Sequence, residues 1–264
     1  EWTIKYTTLL GDNKLGAITL KSKKELAYMR EAGRVVALVK VKLAEAIEPG
    51  VTTMELDRIA DREIRALGAR SNFKGYLGYP ASICVSINEE VVHGIPSARV
   101  IKEGDVVSVD VGAEVSGLHG DSAFTVAVGF VAKKVQSLIG VTKESLKLGI
   151  EQVSIGGRVG DISFAIQSYA EKLGYGVVRQ YVGHGIGRAM HEEPQVPNYG
   201  ARGSGHRLMD GMAIAIEPML NLGGWETVQL DDGWTVVTAD GSISAHFEDT
   251  VSISEGGIEV LTQL

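Results

Sequence analysis

Residues 106–126 read VVSVDVGAEVSGLHGDSAFTV, and the rest of the chain is organised around this stretch. The β-branched run around Asp110 favours a buried strand, and apolar residues resume after the turn signal Ser116-Gly117, so the stretch predicts a β-hairpin. A turn centred on Val115-Ser116 would place Asp110 opposite Asp121, whereas a turn centred on Ser116-Gly117 would make them diagonal neighbours. Either register puts both carboxylates on one face, where they repel each other unless a cation lies between them. A solvated aspartate beside a turn aspartate is the alternative interpretation.

Length and composition limit the class of protein. The 264 residues suffice for one large or two small domains, and 44% apolar residues allow a sizeable core. A net charge of −7 without a basic block argues against direct nucleic-acid binding. The single cysteine, Cys84, excludes a disulfide framework and suits a reducing compartment. No apolar run approaches the ~20 residues of a membrane span and no signal peptide is evident, so we expect a cytoplasmic protein without membrane contact.

Helices and strands are expected in a recurring order. Capping boxes at 22–25 (SKKE) and 52–55 (TTME) mark the first two helix starts, after an N-terminal arm over residues 1–21. Helical periodicity predicts four helices, over about 23–47, 52–67, 133–153 and 161–173. Apolar and β-branched runs outside the hairpin predict strands over 83–87, 177–182, 212–218, 234–238 and 244–251. The last two are expected to pair with each other through a turn at Asp240-Gly241.

The order helix–helix–strands occurs twice, which suggests an internal repeat. The segments that align in chain order are 50–68 with 156–174 and 104–110 with 211–217. This alignment makes Asp110 and Glu217 counterparts. We therefore expect one domain over residues 22–264, built from related halves at about 22–130 and 131–264, that share a single site.

Four carboxylates and one imidazole supply candidate metal ligands. They are Asp110, Asp121, Glu217, Glu248 and His184. This donor set suits manganese, iron, cobalt or zinc, and the absence of thiolate ligands argues against a structural zinc site. A lone carboxylate in an apolar strand would be costly, whereas two divalent ions roughly 3.5–4 Å apart would explain all four. Taken singly, Asp121 fits a turn, Glu248 a solvated edge and His184 a core histidine.

The glycine-rich stretch GHGIG at 183–187 also invites comparison with a dinucleotide-binding loop. It lacks the G-x-G-x-x-G spacing and a capped helix after it, so we discount that function. His119 and His206 are assigned no role.

Together these motifs resemble the methionine aminopeptidases over about residues 22–262. The motifs that carry the resemblance are DVG at 110–112, GD at 120–121, GHGIG at 183–187, HEEP at 191–194, IEP at 216–218, FEDT at 247–250, VHGIP at 92–96 and GYLGYPAS at 75–82. The resemblance implies the pita-bread fold, an α/β (α+β) architecture of two pseudo-symmetric helix–helix–strand halves around a curved, mainly antiparallel sheet. That expectation agrees with the repeat.

The resemblance also assigns roles to residues. It implies that the five candidate ligands bind two divalent ions (cobalt, manganese, iron or zinc). It makes His93, His191 and Glu217 catalytic, with both histidines contacting substrate. The residues implied to line a methionine pocket are Phe73, Tyr76, Tyr79, Cys84, Met190 and Trp234. Phe73 stands where some members have cysteine and Met190 where phenylalanine is common, while Asp249 replaces a histidine frequent in bacterial relatives.

The function implied by the resemblance is removal of the N-terminal methionine from nascent proteins and peptides, by a metal-bridging hydroxide. The implied partners are peptide or nascent-chain N-termini beginning with methionine, met by a monomer associated with the ribosome. Lack of a Cys/His-rich extension and of a helical insertion favours a bacterial-like type I enzyme. Two alternatives remain: a prolidase or aminopeptidase P relative, and a binding protein that keeps the fold without catalysis.

Overall fold

The computed structural model describes residues 17–264. Residues 1–16, most of the expected arm, lie outside the described residues. No helix within residues 17–264 is both long and apolar enough to cross a membrane. The described helices are α1 (Lys23–Ala46), α2 (Thr53–Ala66), α3 (Lys133–Ile150) and α4 (Val159–Lys172).

Fifteen strands accompany these helices in the described chain. The strands of the first part are β1 (Arg70–Ser71), β2 (Ile83–Ile87), β3 (Glu90–Val92), β4 (Val106–Val115) and β5 (Leu118–Ala127). Those that follow α4 are β6 (Gly176–Val177), β7 (Gly183–Gly185), β8 (Glu192–Val196), β9 (Ala213–Ile216), β10 (Met219–Asn221), β11 (Thr227–Gln229), β12 (Val236–Thr238), β13 (Ser244–His246), β14 (Asp249–Ser254) and β15 (Gly257–Val260). The division into two related halves stays a prediction.

The first two helices begin where their capping boxes place them. The Ser22 hydroxyl accepts a hydrogen bond from the backbone N–H of Glu25, whose carboxylate accepts one from the Ser22 N–H. Thr52 and Glu55 make the same reciprocal pair at the start of α2. The chain then turns at Gly68, whose φ of +77° suits a residue without Cβ.

The predicted hairpin is β4 paired with β5. Its turn is Ser116-Gly117, with φ of +53° and +79° at the two positions, as a two-residue hairpin turn requires. The register sets Gly112 opposite Asp121 and Asp110 opposite Ala123. The second of the two predicted registers is therefore correct, and the two aspartates are diagonal neighbours on one face.

Strand β4 lies inside its sheet, with β5 on one edge and β2 and β1 along the other. Its alternate residues Val107, Val109 and Val111 pack with the apolar faces of α1 and α2. Because side chains alternate, Asp110 points to the opposite face of the sheet, away from these helices. A second core, between α3, α4 and the five-stranded sheet β15-β14-β9-β7-β8, fixes the remaining strands.

Three strand predictions are wrong. Residues 244–251 do not form one strand, because β13 pairs with β10 whereas β14 pairs with β9 in another sheet. Residues 177–182 do not form one strand, because β6 pairs with β10 whereas β7 pairs with β8 and β9, so the chain changes sheets between them. The expected closing pair does not form either. Strand β12 pairs with β11 and β3, and β13 pairs with β10, so the turn at Asp240-Gly241 joins strands of different sheets. Apolar periodicity marks a strand without choosing its partner.

Candidate active site and metal centre

The four predicted acids come from both parts of the fold. Asp110 and Asp121 lie on the β4–β5 hairpin, Glu217 follows β9, and Glu248 lies between β13 and β14. Strands β9 and β14 are paired, so Glu217 and Glu248 leave the same two-stranded ladder. Only 4% of Asp121 and 3% of Glu248 is exposed, which excludes the solvated-edge interpretation of Glu248. The acids therefore share one buried region.

His184 completes this group from β7. Its Nε2 lies 3.6 Å from Oε1 of Glu217, and it presents a ligand atom within 4.8 Å of ligand atoms on Asp121 and Glu248. Its Nδ1 lies 2.9 Å from the carbonyl oxygen of Gly185. Because a carbonyl only accepts, Nδ1 carries the proton and Nε2 keeps its lone pair toward the acids. Burial lowers the pKa of His184 to about 4, so the ring is neutral at pH 7.

Burial raises the pKa of every acid in the group, and repulsion by neighbouring carboxylates adds to this effect at Asp121, Glu217 and Glu248. Burial raises the pKa of Asp110 to about 7. For Asp121 and Glu217, burial and then the charge of Asp110 raise the pKa well above its usual range. For Glu248, burial and then the charge of Asp121 have the same effect. Four ionised carboxylates can share this space only with cations between them.

Hydrogen bonding in the same region is incomplete. Within the described chain, Oδ1 of Asp110, Oδ1 of Asp121, Oε1 of Glu248 and Nε2 of His246 are buried without a hydrogen-bond partner. Buried polar atoms nearly always have a hydrogen-bond partner, so these unpartnered atoms indicate a place where a ligand binds. Carboxylate oxygens with an imidazole nitrogen suit divalent manganese, iron, cobalt or zinc. The residues present therefore fit the metal ions that the sequence predicted, although their roles as ligands stay a prediction.

The two predicted substrate histidines adjoin this group. The ring centroids of His191 and His184 are 4.3 Å apart, and the Tyr76 hydroxyl oxygen lies 2.8 Å from Nδ1 of His191. His93 adopts a φ of +62°, an uncommon conformation for a residue with a side chain, and its ring contacts Trp234 edge-on at 6.3 Å. Burial lowers the pKa of both rings, so both are neutral near pH 7.

The predicted pocket residues form one apolar cluster. Its members are Phe73, Tyr79, Ala81, Cys84 and Met190, with Tyr76, Ile95 and Trp234 packed against them. The Tyr79 hydroxyl donates to the carbonyl oxygens of Ile83 and Gly94, which fixes its ring in place. Cys84 on β2 is the cross-strand partner of Asp110 on β4. The apolar cluster therefore lies beside the acids.

Sequence reasoning missed one buried residue at the site. His246 is 2% exposed, and its Nε2 lies 3.9 Å from Oε2 of Glu217 and 4.0 Å from Oε2 of Glu248. The sequence did carry a signal for His246. Alternate side chains of an extended chain point to the same side, and His246 stands two residues before Glu248. Phe247, between them, packs on the other side into the second core.

Comparison with known proteins agrees with this geometry. The sequence pattern of metallopeptidase family M24 matches residues 27–255. Methionine aminopeptidase 1 of Bacillus subtilis is 51% identical over 94% of this chain and 100% of its own length, and the methionine aminopeptidase of Clostridium acetobutylicum is 53% identical over 93% and 98%.

Solved structures give the same result. The crystal structure of methionine aminopeptidase from Thermotoga maritima superposes with a TM-score of 0.92, at 46% identity, over 94% of this chain and 100% of that one. Prolidase from Pyrococcus furiosus shares the fold alone, with a TM-score of 0.75 at 22% identity over 93% of this chain and 65% of that one. These likenesses confirm the predicted pita-bread fold. The chain therefore belongs to metallopeptidase family M24, among the bacterial methionine aminopeptidases.

Proposed function

We propose that this chain is a metal-dependent aminopeptidase that removes the N-terminal methionine from nascent proteins and peptides. One observation carries the proposal: a buried group of acids with unsatisfied oxygens adjoins an apolar, aromatic cluster. The acids supply hydrolytic chemistry, and the cluster selects an apolar residue. Cys84 of the cluster is the cross-strand partner of Asp110, and this proximity of the two groups supports the proposal.

We assign the metal ions to the five residues that the sequence indicated. Asp110, Asp121, His184, Glu217 and Glu248 would hold two divalent ions of cobalt, manganese, iron or zinc. When bound, such ions lower the pKa of a water molecule and polarise the scissile carbonyl. The raised pKa values of the acids support this assignment, because cations would replace the protons that burial otherwise favours.

The remaining residues transfer a proton from the attacking water molecule and orient the peptide. Glu217 is the proton acceptor and passes the proton to the leaving amine, since its carboxylate lies in a dry site beside His184. His191 donates from Nε2 to the developing oxyanion, and the Tyr76 hydroxyl bonded to Nδ1 holds its ring in that orientation. His93 orients the peptide, held by its contact with Trp234.

The apolar cluster binds the methionine side chain. Tyr79 and Trp234 meet edge-on with ring centroids 4.9 Å apart, which gives the cluster a rigid aromatic wall. A thioether gains small additional attraction from contact with such rings. Burial also raises the pKa of the Cys84 thiol, so this residue stays neutral and packs as a small apolar side chain. The cluster thus excludes water and favours methionine over charged residues.

The setting of the reaction follows from the substrate. We propose that the enzyme acts in the cytoplasm as a monomer that meets nascent chains at the ribosome, because initiator methionine is present there as synthesis begins. Co-sedimentation with translating ribosomes tests this, and protein found only in the ribosome-free fraction would contradict it.

Hydrolysis of defined tripeptides tests the proposed activity. Metal-free protein is reconstituted with Mn²⁺, Co²⁺, Fe²⁺ or Zn²⁺ and assayed on Met-Ala-Ser, Leu-Ala-Ser and Ala-Pro-Ser. We expect release of methionine only from the first peptide, and only with metal. Cleavage of Ala-Pro-Ser alone would indicate a prolidase or aminopeptidase P relative. Stoichiometric metal without any turnover would indicate a binding protein with this fold.

A further inference from the structure

We propose that His246 is a positioning residue of the metal centre, whose imidazole orients the carboxylates of Glu217 and Glu248. This inference rests on the proposed function, because it concerns residues assigned to the metal ions. None of the sequence motifs that point to the site contains His246. Three features of His246 support this role: how its backbone is held, where its ring points, and which carboxylates lie beside the ring.

The backbone of His246 is fixed on two sides. It pairs with Met219 in the β10–β13 ladder. On the other side, the Thr125 hydroxyl donates to its carbonyl oxygen at 2.7 Å and contacts its backbone nitrogen at 2.9 Å. Thr125 is itself held by the Ser108 hydroxyl at 2.8 Å. The backbone of His246 therefore cannot shift without breaking a buried network.

The ring points toward the acids. Its Nε2 is nearly equidistant from one carboxylate oxygen of Glu217, at 3.9 Å, and one of Glu248, at 4.0 Å. That is the arrangement of one donor shared between two acceptors. Both distances exceed a hydrogen bond, so the proposed role requires a glutamate carboxylate to move toward Nε2 when the ligands are in place. Within the described chain this Nε2 has no other hydrogen-bond partner, so a purely structural role would leave it unsatisfied.

Orienting residues of this kind matter to metal binding. A ligand carboxylate that accepts a hydrogen bond is held in one rotamer, and loss of such a partner typically lowers metal affinity by about 10–100-fold. His246 contacts both glutamates, which come from different strands. Its removal should therefore disturb two ligands at once, in a way that loss of an ordinary core residue would not.

Two substitutions separate this role from simple packing. His246→Leu keeps an apolar side chain of similar bulk but has no N–H donor, whereas His246→Gln keeps an amide N–H at similar reach. His206→Leu is the matched control, because His206 is exposed. Each metal-free protein is titrated with Co²⁺ by calorimetry, and the visible absorption spectrum of bound Co²⁺ is recorded.

We expect His246→Leu to bind Co²⁺ about 10–100-fold more weakly than the unsubstituted protein, with an altered spectrum. His246→Gln should recover affinity to within a few-fold and restore the spectrum, and His206→Leu should change neither. Unchanged affinity and spectrum in His246→Leu would overturn the proposal. Equal loss in the Leu and Gln variants would overturn it too, since a direct nitrogen ligand behaves that way.

Folding and function are checked separately. Thermal unfolding of each metal-free variant shows whether it folds. If His246→Leu does not fold, the comparison between His246→Gln and the shorter His246→Asn decides, since only glutamine reaches the carboxylates. Metal binding is measured without substrate, so a protein that binds Co²⁺ as expected but leaves Met-Ala-Ser intact disproves the proposed function and leaves this inference standing.

Discussion

Glu248 and Asp249 are neighbours in sequence, yet they lie in two different electrostatic environments. Oε1 of Glu248 is buried without a hydrogen-bond partner. The carboxylate of Asp249, on the opposite face, lies 3.5 Å from Nζ of Lys40 and accepts hydrogen bonds from Thr262 and Gln263. Alternation along the strand thus separates an unsatisfied acid from a satisfied one.

Glu192 is a second buried acid with protein partners. Beside His191, the carboxylate of Glu192 binds the Lys21 ammonium at 2.6 Å and accepts hydrogen bonds from the backbone N–H groups of Arg188 and Ala189. A buried charge with its own protein partners stabilises the fold, whereas a group of buried charges without them marks a place for an external ion. The two environments should respond oppositely when charges are removed.

The largest effect is expected at Asp121. Asp121→Asn removes one proposed ligand, so hydrolysis of Met-Ala-Ser should fall below detection, and Co²⁺ affinity should fall with it. Without metal, the same variant should be more stable than the unsubstituted protein, because it has one repelling carboxylate fewer. Calorimetry and urea unfolding of metal-free protein measure both. Full activity, or a lower stability of the metal-free variant, would show that Asp121 has a structural role like that of Asp249 and Glu192.

Removal of Lys21 should have the opposite effect on stability. Lys21→Met leaves Glu192 buried without its cation, which costs about 3–5 kcal/mol of unfolding free energy. Adding Glu192→Gln should recover most of that loss, because the remaining hydrogen bonds can be kept without a charge. Urea unfolding measures each variant, with the exposed Lys23→Met as control. Equal stability of Lys21→Met and Lys23→Met would show that the Lys21–Glu192 ion pair does not stabilise the fold.

These two environments also differ in how well the sequence predicts them. The hairpin followed from the local turn signal Ser116-Gly117, although the sequence left two registers open, and the helices followed from capping boxes and periodicity. The residues proposed as ligands could be named because their motifs are local. The Lys21–Glu192 tie could not, since its partners are 171 residues apart and a lysine before a capping box looks solvated.

The strands after α4 show a second limit. Most have only three or four residues, and their pairing is decided by contacts distant in sequence, as with β12 beside β3. Alternation within so short a strand is a weak signal. The same limit concealed His246, whose orientation depends on β13 pairing with β10 rather than with β12. Local motifs thus predicted the acids, and tertiary pairing determined what surrounds them.

A smaller effect is expected when the stability of the metal-free protein is measured as a function of pH. Burial raises the pKa of Asp110 from 3.8 to about 7, so the folded metal-free protein binds this proton more tightly than the unfolded chain. The resulting stability is present below pH 4 and is lost as the pH rises toward 7, by about a few kcal/mol. Saturating Mn²⁺ should reverse the slope by stabilising ionised carboxylates. Thermal unfolding of the metal-free protein and of Asp110→Asn across this range measures it, because the buried histidines with lowered pKa values titrate in both proteins and only the contribution of Asp110 differs. Identical profiles of the two proteins would contradict it.

The smallest effect is expected at an ion pair that is neither buried nor near the acids. Arg30 on α1 binds Glu259 on β15 at 2.8 Å, with side chains 45% and 44% exposed. Water already solvates both charges, so Arg30→Ala should lower the unfolding free energy by less than about 1 kcal/mol, and by less still in high salt. Urea unfolding at two salt concentrations measures it. A loss as large as that of Lys21→Met would mean that burial does not govern the strength of ion pairs in this fold.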